Sequence, residues 1–592
     1  MLGDVKYLFK YREKAVDRVM LYVSSACVVA VLFHLGYNTD KITAQHFQSA
    51  MPWIFYGLFV LGFVRTGLAI AVRQRVMLSH YGGIALVVYF TLVTIGRSSG
   101  NDLLDFLRQP EWLHLGVFAV FLTELSKSSL FFDNFYFNPT ILFVVSFLFL
   151  ILIGTLLLML PRAGAQHPLP FVDALFMATS AVCITGLSTI DVATVFSPFG
   201  HTVLLVLIQL GGLGIMTFTG FFGYFFSGGF SYKNQLMYGE FLGHNKVASV
   251  INTLLKIIVL TLLLEAVGAV LIFFSTSPSG FASPSDRIFF AVFHAVSAFC
   301  NAGFSTATDG MYHASIRYNY HVQLVVAWLF IIGGFGFGVV FNLYAFVKRW
   351  VVSFFQRLVF GKPYVYRAWV ISFNTRLVMW MTAILVVFST ILTFVLEYGG
   401  VLQEHQTLWG KWVAAFFMGN SSRTAGFNVV DMGSLSFPTI MLATLLMWIG
   451  ASPGSTGGGI KTTTFAVAML NIVSLARGKD KLEIFGRRIA ADSVSKAFAI
   501  IVLSFLAVGG TIFGLSITDG QLGLLPIAFE SFSAYATCGL SLGITPQLSA
   551  AGKAIIIVSM FVGRVGMLTL LVALIKNMKS RSYEYPQEQV LF

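Results

Sequence analysis

The sequence predicts an all-α polytopic membrane protein: four internal repeats of helix, re-entrant segment and helix, preceded by about four extra transmembrane helices. Three observations carry this. The 592 residues are 57% hydrophobic and 11% charged, with a mean hydropathy of +0.82, a balance that a soluble multidomain chain does not hold without aggregating. Apolar runs long enough for a hydrocarbon core of about 30 Å recur from one end to the other. Four short semi-polar segments, each with a glycine near its end, recur at a nearly constant interval.

Residues 1–138 hold apolar runs near 20–37, 51–72, 81–97 and 112–126, read as four spans. Lys6, Lys10, Arg12, Lys14 and Arg18 place the N-terminus on the cytoplasmic side, and Arg73 and Arg75 mark an inner loop. No small-residue cleavage site follows the charged start, so no removable signal peptide is expected. Four spans ahead of a repeat array have the layout of a voltage sensor, but a sensor needs regularly spaced arginines on one helix. The fourth span offers only Glu124 and Lys127, and Arg65 stands alone in the second. An assembly or lipid-contact role fits better.

The repeated segments read Ala-Thr-Ser-Ala-Val-Cys-Ile-Thr-Gly-Leu-Ser (178–188), Ala-Val-Ser-Ala-Phe-Cys-Asn-Ala-Gly-Phe-Ser (295–305), Phe-Met-Gly-Asn-Ser-Ser-Arg-Thr-Ala-Gly-Phe-Asn (417–428) and Ser-Phe-Ser-Ala-Tyr-Ala-Thr-Cys-Gly-Leu-Ser (531–541). Their glycines, Gly186, Gly303, Gly426 and Gly539, lie 117, 123 and 113 residues apart. A spanning run precedes each glycine and a second follows, so the repeats are expected at 139–228, 250–346, 376–475 and 497–576. The second runs also align, through Gln209–Gly214, Ile331–Gly336, Trp448–Gly454 and Phe561–Gly566. The spans then total twelve.

The formal charge of +13 is explained by orientation rather than by nucleic acid. Loops joining the repeats carry Lys233, Lys246, Lys348, Arg349, Arg357, Lys362, Arg367, Arg376, Arg477, Lys479, Lys481, Arg487, Arg488 and Lys496, which marks them as cytoplasmic. On the other side, Arg162, Arg287, Arg317 and Lys411 are outnumbered by Asp173, Asp191, Asp286, Asp309, Glu397, Glu404, Asp431 and Asp519. Cys27, Cys183, Cys300 and Cys538 are scattered without metal-ligand spacing and read as packing residues.

A dehydrated monovalent cation needs several oxygen ligands in place of its water, and backbone carbonyls supply them where the chain is not helical. Non-helical backbone at membrane depth must line a cavity or be buried in protein. One such glycine alone would be read as a packing or turn residue. Four at a regular interval imply four membrane-pore-membrane repeats in pseudo-fourfold arrangement around a central pore. The short helices before them, such as 171–182 and 289–299, aim their negative ends at the cation.

At these residues the chain resembles the Trk/Ktr/HKT superfamily of potassium transporters, a pore subunit of the KtrB/TrkH kind with an extra N-terminal membrane region. Val-Cys-Ile-Thr-Gly-Leu, Phe-Cys-Asn-Ala-Gly-Phe, Arg-Thr-Ala-Gly-Phe and Cys-Gly-Leu-Ser-Leu-Gly look like its four filter segments, over about 139–575, and Met560–Gly566 is closer to the KtrB branch. The resemblance implies a potassium-binding filter made by backbone carbonyls of Ile184, Thr185, Gly186, Asn301, Ala302, Gly303, Thr424, Ala425, Gly426, Thr537, Cys538 and Gly539. Four glycines go in that family with preference for potassium over sodium. Cys538 is a departure that a carbonyl filter tolerates.

The second run of the third repeat contains Gly450-Ala-Ser-Pro-Gly-Ser-Thr-Gly-Gly-Gly-Ile-Lys-Thr-Thr-Thr464, where proline costs about 3 kcal/mol and each glycine about 1 in a helix. The helix is expected to break there. Arg564 lies near the middle of its apolar run, which costs at least about 2.5 kcal/mol unless it faces protein or water. Its aligned neighbours, Gly212, Gly334 and Ala451, are small. In the resembling family the broken segment is an intramembrane loop that obstructs the pore and moves on opening, and the arginine projects beside it. The gate is thus expected at Gly454, Ser455, Thr456, Gly457, Gly458, Gly459, Lys461 and Arg564. Lys461 either acts likewise or pairs with an acid such as Glu265.

No dinucleotide fingerprint or P-loop follows a plausible strand. The resemblance implies a homodimer on a cytoplasmic nucleotide-binding regulatory ring of the TrkA/KtrA type, in a bacterial cytoplasmic (inner) membrane, with potassium as substrate and no cofactor in the chain. Two other readings are open. One is a less selective sodium/potassium or ion-coupled transporter of the same fold. The other is a membrane-embedded enzyme, which would need clustered ligands; His34 and His294 stand alone in their spans.

Overall fold

A computed structural model describes residues 2–37, 41–72, 78–98, 110–127, 139–213, 250–360, 371–479 and 481–574. The loop cations Arg73, Arg75, Lys233, Lys246, Lys362 and Arg367, and the end of the first repeat's second run, lie outside these residues. Four N-terminal helices, Leu2–Tyr37, Lys41–Val72, Leu78–Ser98 and Pro110–Lys127, fall on the predicted runs. They pack about their own core of Met20, Val31, Phe55, Leu58, Phe90 and Val117. The Tyr89 hydroxyl donates to the Trp112 carbonyl at 2.6 Å. The bundle touches the rest of the chain where the Arg162 amide donates to the Gly36 carbonyl at 3.0 Å.

Each repeat opens with a long helix: Pro139–Leu158, Val250–Ser275, Phe373–Glu397 and Ala491–Thr518. The last three include spans long and apolar enough to cross a membrane. Their outward faces carry large apolar side chains, with Phe274 77%, Phe513 70% and Ile517 70% exposed. In water such a surface would aggregate; in a bilayer it is the solvent-facing side.

Short helices follow: Phe171–Val182, Pro284–Phe299, Leu408–Thr424 and Leu524–Ala536. All four present the same pair one turn apart, Phe176 with Ser180, Phe293 with Ser297, Phe417 with Ser421 and Phe529 with Ser533. Residues at i and i+4 share a face. The four phenylalanines are fully buried, so that face is the one turned inward in every repeat.

The second helices start at N-caps that also tie back to the end of the first. Ser197, Asn319 and Ser549 accept from the amides of Gly200, Val322 and Gly552. Ser197 Oγ donates to the Arg162 carbonyl, and Asn319 Nδ2 donates to the Ser275 carbonyl at 2.7 Å. Ser436 donates to Glu397 through its amide at 2.9 Å and its hydroxyl at 2.6 Å. Ser549 does the same to Asp519 at 2.8 and 2.9 Å.

The second helices are less continuous than the hydropathy implies. The third breaks as expected, ending at Trp448 and resuming at Thr462. The second and fourth also break, Tyr320–Phe335 giving way to Phe337–Phe360 and Ala550–Val565 to Met567–Leu574. Gly336 and Gly566 sit at these breaks with φ of +81° and +87°, where a Cβ would be strained. At Gly336 the reason is visible: the next amide, of Phe337, leaves its own helix and donates to the Gly454 carbonyl at 3.1 Å.

Candidate ion pore

The short helices deliver the four glycine segments with one backbone device. Three of them end through a left-handed residue, Ile184, Asn301 and Thr537, at φ of 56°, 59° and 49°. The amide that follows returns to the helix: Thr185 to the Ser180 carbonyl at 2.8 Å, Ala302 to Ser297 at 2.7 Å and Cys538 to Ser533 at 2.9 Å. The serine side chain clamps the segment from behind. Ser180, Ser297 and Ser421 donate to the carbonyls of Leu187, Phe304 and Phe427 at 2.6, 2.8 and 2.6 Å. The amides of Gly186 and Gly539 donate to Ser180 Oγ and Ser533 Oγ, both at 3.1 Å.

The third segment differs. Ser421 precedes Gly426 by one residue fewer than the other serines precede their glycines, so the helix runs on through Thr424 and no left-handed non-glycine residue is used. The Gly426 amide reaches the Ser421 carbonyl directly, at 3.3 Å.

The four glycines meet. All have positive φ: +89° at Gly186, +71° at Gly303, +75° at Gly426 and +96° at Gly539. A Cβ on Gly186 would run into the Ala302 carbonyl and lie 3.2 Å from the Gly303 Cα. On Gly303 it would meet the Ala425 carbonyl and Gly426; on Gly426, the Cys538 carbonyl and Gly539; on Gly539, the Thr185 carbonyl and Gly186. The contacts pass from each segment to the next and from the fourth back to the first, so the segments close a ring. A residue with a side chain fits neither the backbone nor the space. Each glycine thereby abuts the carbonyl that precedes its neighbour, a set of oxygens of the type that replaces a cation's water.

The loop from Ile449 to Lys461 fills the space against this ring. Its ends pair as a parallel bridge between Ile449 and Ile460. Its amides at Ser452 and Thr456 donate to the carbonyls of Gly334 and Gly333 at 3.1 and 3.4 Å, which the break in that helix leaves free. Three consecutive loop residues then meet three repeats. The Thr456 hydroxyl donates to the Phe299 carbonyl at 3.4 Å and lies 3.3 Å from the Asn301 amide group. Gly457 sits so close to Thr424 that a Cβ would be 2.8 Å from its methyl. The Gly458 amide donates to Thr537 Oγ1 at 3.0 Å. Gly459 packs on Ala536, while Gly454, with φ of +71°, has open space around it. Ser455 Oγ is buried without a hydrogen-bond partner.

Arg564 completes the contact with the remaining repeat. It is buried, and its guanidinium donates through Nη1 to the Thr456 carbonyl and through Nη2 to the Gly211 carbonyl at 2.7 Å. One planar fork thus joins the loop, the fourth repeat and the first. Lys461 Nζ donates to the Gly457 carbonyl at 2.6 Å, inside its own loop, and forms no ion pair with Glu265. Glu265 is instead approached by the Cys300 thiol at 3.8 Å. His294 bonds the Phe290 carbonyl and Ser305 Oγ, both at 2.8 Å, a packing role. Among the described residues no cluster of His, Cys, Asp and Glu could hold a metal ion.

Sequence reasoning missed the clamping serines, although all four stand in the quoted motifs, and the link between neighbouring segments. Asn301 and Thr424 are 2.7 Å apart, best arranged with the threonine hydroxyl donating to the amide oxygen and the amide nitrogen donating to Phe330 and Phe299 carbonyls at 3.1 and 3.3 Å. The Cys538 thiol donates to the Ser422 carbonyl at 3.2 Å, so the departure at this position binds the fourth segment to the third helix.

The profile of the TrkH family, described as a cation transport protein, matches residues 118–585. The chain is 37% identical over 457 residues to the Ktr system potassium uptake protein B of Bacillus subtilis, covering 77% of this chain and 96% of that protein. It is 33% identical to the potassium/sodium uptake protein NtpJ of Enterococcus hirae, covering 77% and 97%. The crystal structure of the potassium transporter TrkH from Vibrio parahaemolyticus shares the fold, with a TM-score of 0.58 at 18% identity, over 89% of this chain and 98% of that one.

Proposed function

Because the chain belongs to the TrkH family of cation transport proteins, we propose that it takes up potassium across the cytoplasmic membrane through the glycine ring, which acts as a carbonyl-lined selectivity filter. Membership in a family of transporters leaves no place for the enzyme reading. The observation that carries the proposal is the closed cycle of contacts among Gly186, Gly303, Gly426 and Gly539. In this reading the filter is formed by Ile184–Gly186, Asn301–Gly303, Thr424–Gly426 and Thr537–Gly539.

The loop from Gly454 to Lys461 is the gate in this reading, latched by Arg564, and its seated position throttles the passage of ions below the ring. The repeat bounds, the cytoplasmic N-terminus, a homodimer and docking on a nucleotide-binding ring belong to the same proposal. They are supported by family membership and by the positive loops.

The test is growth of a potassium-transport-deficient bacterial strain expressing the chain, alone and with a ring partner. Gly303→Ser would push a side chain at the Ala425 carbonyl. Rescue by the wild type with potassium over sodium preference, relaxed by Gly303→Ser, is the expected result. A second reading, in which sodium passes as well, is favoured by the name of the E. hirae relative. Comparable sodium uptake by the unaltered chain would select it.

A further inference from the structure

The loop does more than stand beneath the ring: it is hydrogen-bonded to it. The residues two before each filter glycine are Ile184, Asn301, Thr424 and Thr537. The three polar ones meet Thr456, Gly457 and Gly458 in turn. Only the first repeat has an apolar residue there, and it is reached through Arg564 and Gly211 instead.

Two of these contacts fall on left-handed backbone. Thr537 is β-branched and sits at φ of 49°; Asn301 sits at φ of 59°. Residues in the left-handed region persist there only when their surroundings over-determine them. For Thr537, one of those determinants is the bond from the Gly458 amide, at 3.0 Å, and it exists only while the loop is seated. For Asn301 it is the Thr456 side chain on one side and Thr424 on the other. Each of these residues carries the carbonyl next to the one that abuts the neighbouring glycine, so a change in its φ and ψ turns oxygens of the ring.

We infer that Thr537 and Asn301 are specificity-determining residues through which the loop's position sets the filter's ion selectivity. Gate and filter are one unit: seating the loop tightens the ring, and withdrawing it loosens the ring at the second and fourth segments. This rests on the filter and gate reading above.

The experiment measures bi-ionic reversal potentials of the full-length protein in lipid bilayers, for wild type, Thr456→Val, Thr537→Val, their double variant, and the hydroxyl-retaining Thr456→Ser and Thr537→Ser. Thr456 lies outside the ring, so a purely obstructing loop would change its flux but not its selectivity. The proposal expects the sodium-to-potassium permeability ratio to rise about fivefold in each valine variant, the scale of one hydrogen bond. It expects the double variant to be no worse than the worse single, and the serines to stay near wild type. A Thr456→Val protein with raised flux and an unchanged ratio overturns it, as does a double variant whose effects simply multiply. If Thr537→Val does not reach the membrane, Thr456→Val against Thr456→Ser decides alone. A wild-type protein without potassium-selective current would instead overturn the filter reading and this proposal with it.

Discussion

Arg564 is the residue on which the closed loop depends most, because one guanidinium holds both the Thr456 carbonyl and the Gly211 carbonyl. Bonds from a charged donor are worth about 1.5–3 kcal/mol each. Replacing it by glutamine is expected to raise basal rubidium flux into proteoliposomes, without any regulator, about tenfold. Arg564→Lys keeps the charge but not the fork, so it should fall near glutamine if the bonds matter and near wild type if only the charge does. A glutamine variant at the wild-type rate would count against the latch. At this scale the sequence was partly legible. Arg564 stood out because a cation interrupts an apolar run whose aligned positions are small, but Lys461 was ambiguous, since nothing in a sequence tells a lysine's partner across a loop. Ser180, Ser297, Ser421 and Ser533 were in plain view and unread, because a serine on an apolar helix signals nothing until its hydroxyl is seen to reach backbone across a turn.

Helix ends carry the next level of specification. Asp519 closes the first helix of the fourth repeat onto the N-cap of the second, accepting from the Ser549 amide and hydroxyl and from Thr518 Oγ1 at 2.8, 2.9 and 2.8 Å. Burial pushes its carboxyl up, but the bonds from Ser549 and Thr518 outweigh that and hold it below the usual carboxylate value. A group depressed in the folded state adds stability above its unfolded value of about 3.9 and loses it as the pH falls through the folded one. The thermal midpoint in detergent should therefore drop on acidification below about pH 4, and Asp519→Asn should be less stable at neutral pH with a shallower acid limb. An unchanged acid limb would show that the clasp contributes nothing. The long first helices, the short helices and the broken third second-helix were all readable from hydropathy and from the glycines and proline of 450–464. The breaks at Gly336 and Gly566 were not, because a lone glycine in an apolar run is compatible with an unbroken helix, and only the Gly454 carbonyl waiting for the Phe337 amide shows why one is needed.

At the scale of the whole molecule, four repeats are joined end to end by the same contacts that join neighbours. Lys553 of the fourth repeat pairs with Asp173 of the first at 2.6 Å, in a half-closed site, and Gly539 meets Gly186. Among the described residues the N-terminal bundle has its own core, separate from that of the repeats. A chain lacking residues 1–138 is accordingly expected to keep the potassium preference of the full chain while inserting less efficiently, read as uptake per protein in the membrane. Loss of selectivity, rather than of yield, would contradict that. The period of the four glycines stands in the sequence, but the cyclic order of their segments and the loop's place against three of them are tertiary facts that spacing alone does not contain. Cations are expected to bind where the carbonyls of Thr185, Ala302, Ala425 and Cys538 meet the glycine ring. Anomalous X-ray scattering from crystals of the full-length protein grown in rubidium locates the bound ions. A peak on the axis among those four oxygens, weakened in Gly303→Ser crystals, is the expected result; an empty ring with rubidium bound elsewhere in the membrane region would rule out the ring as the binding site.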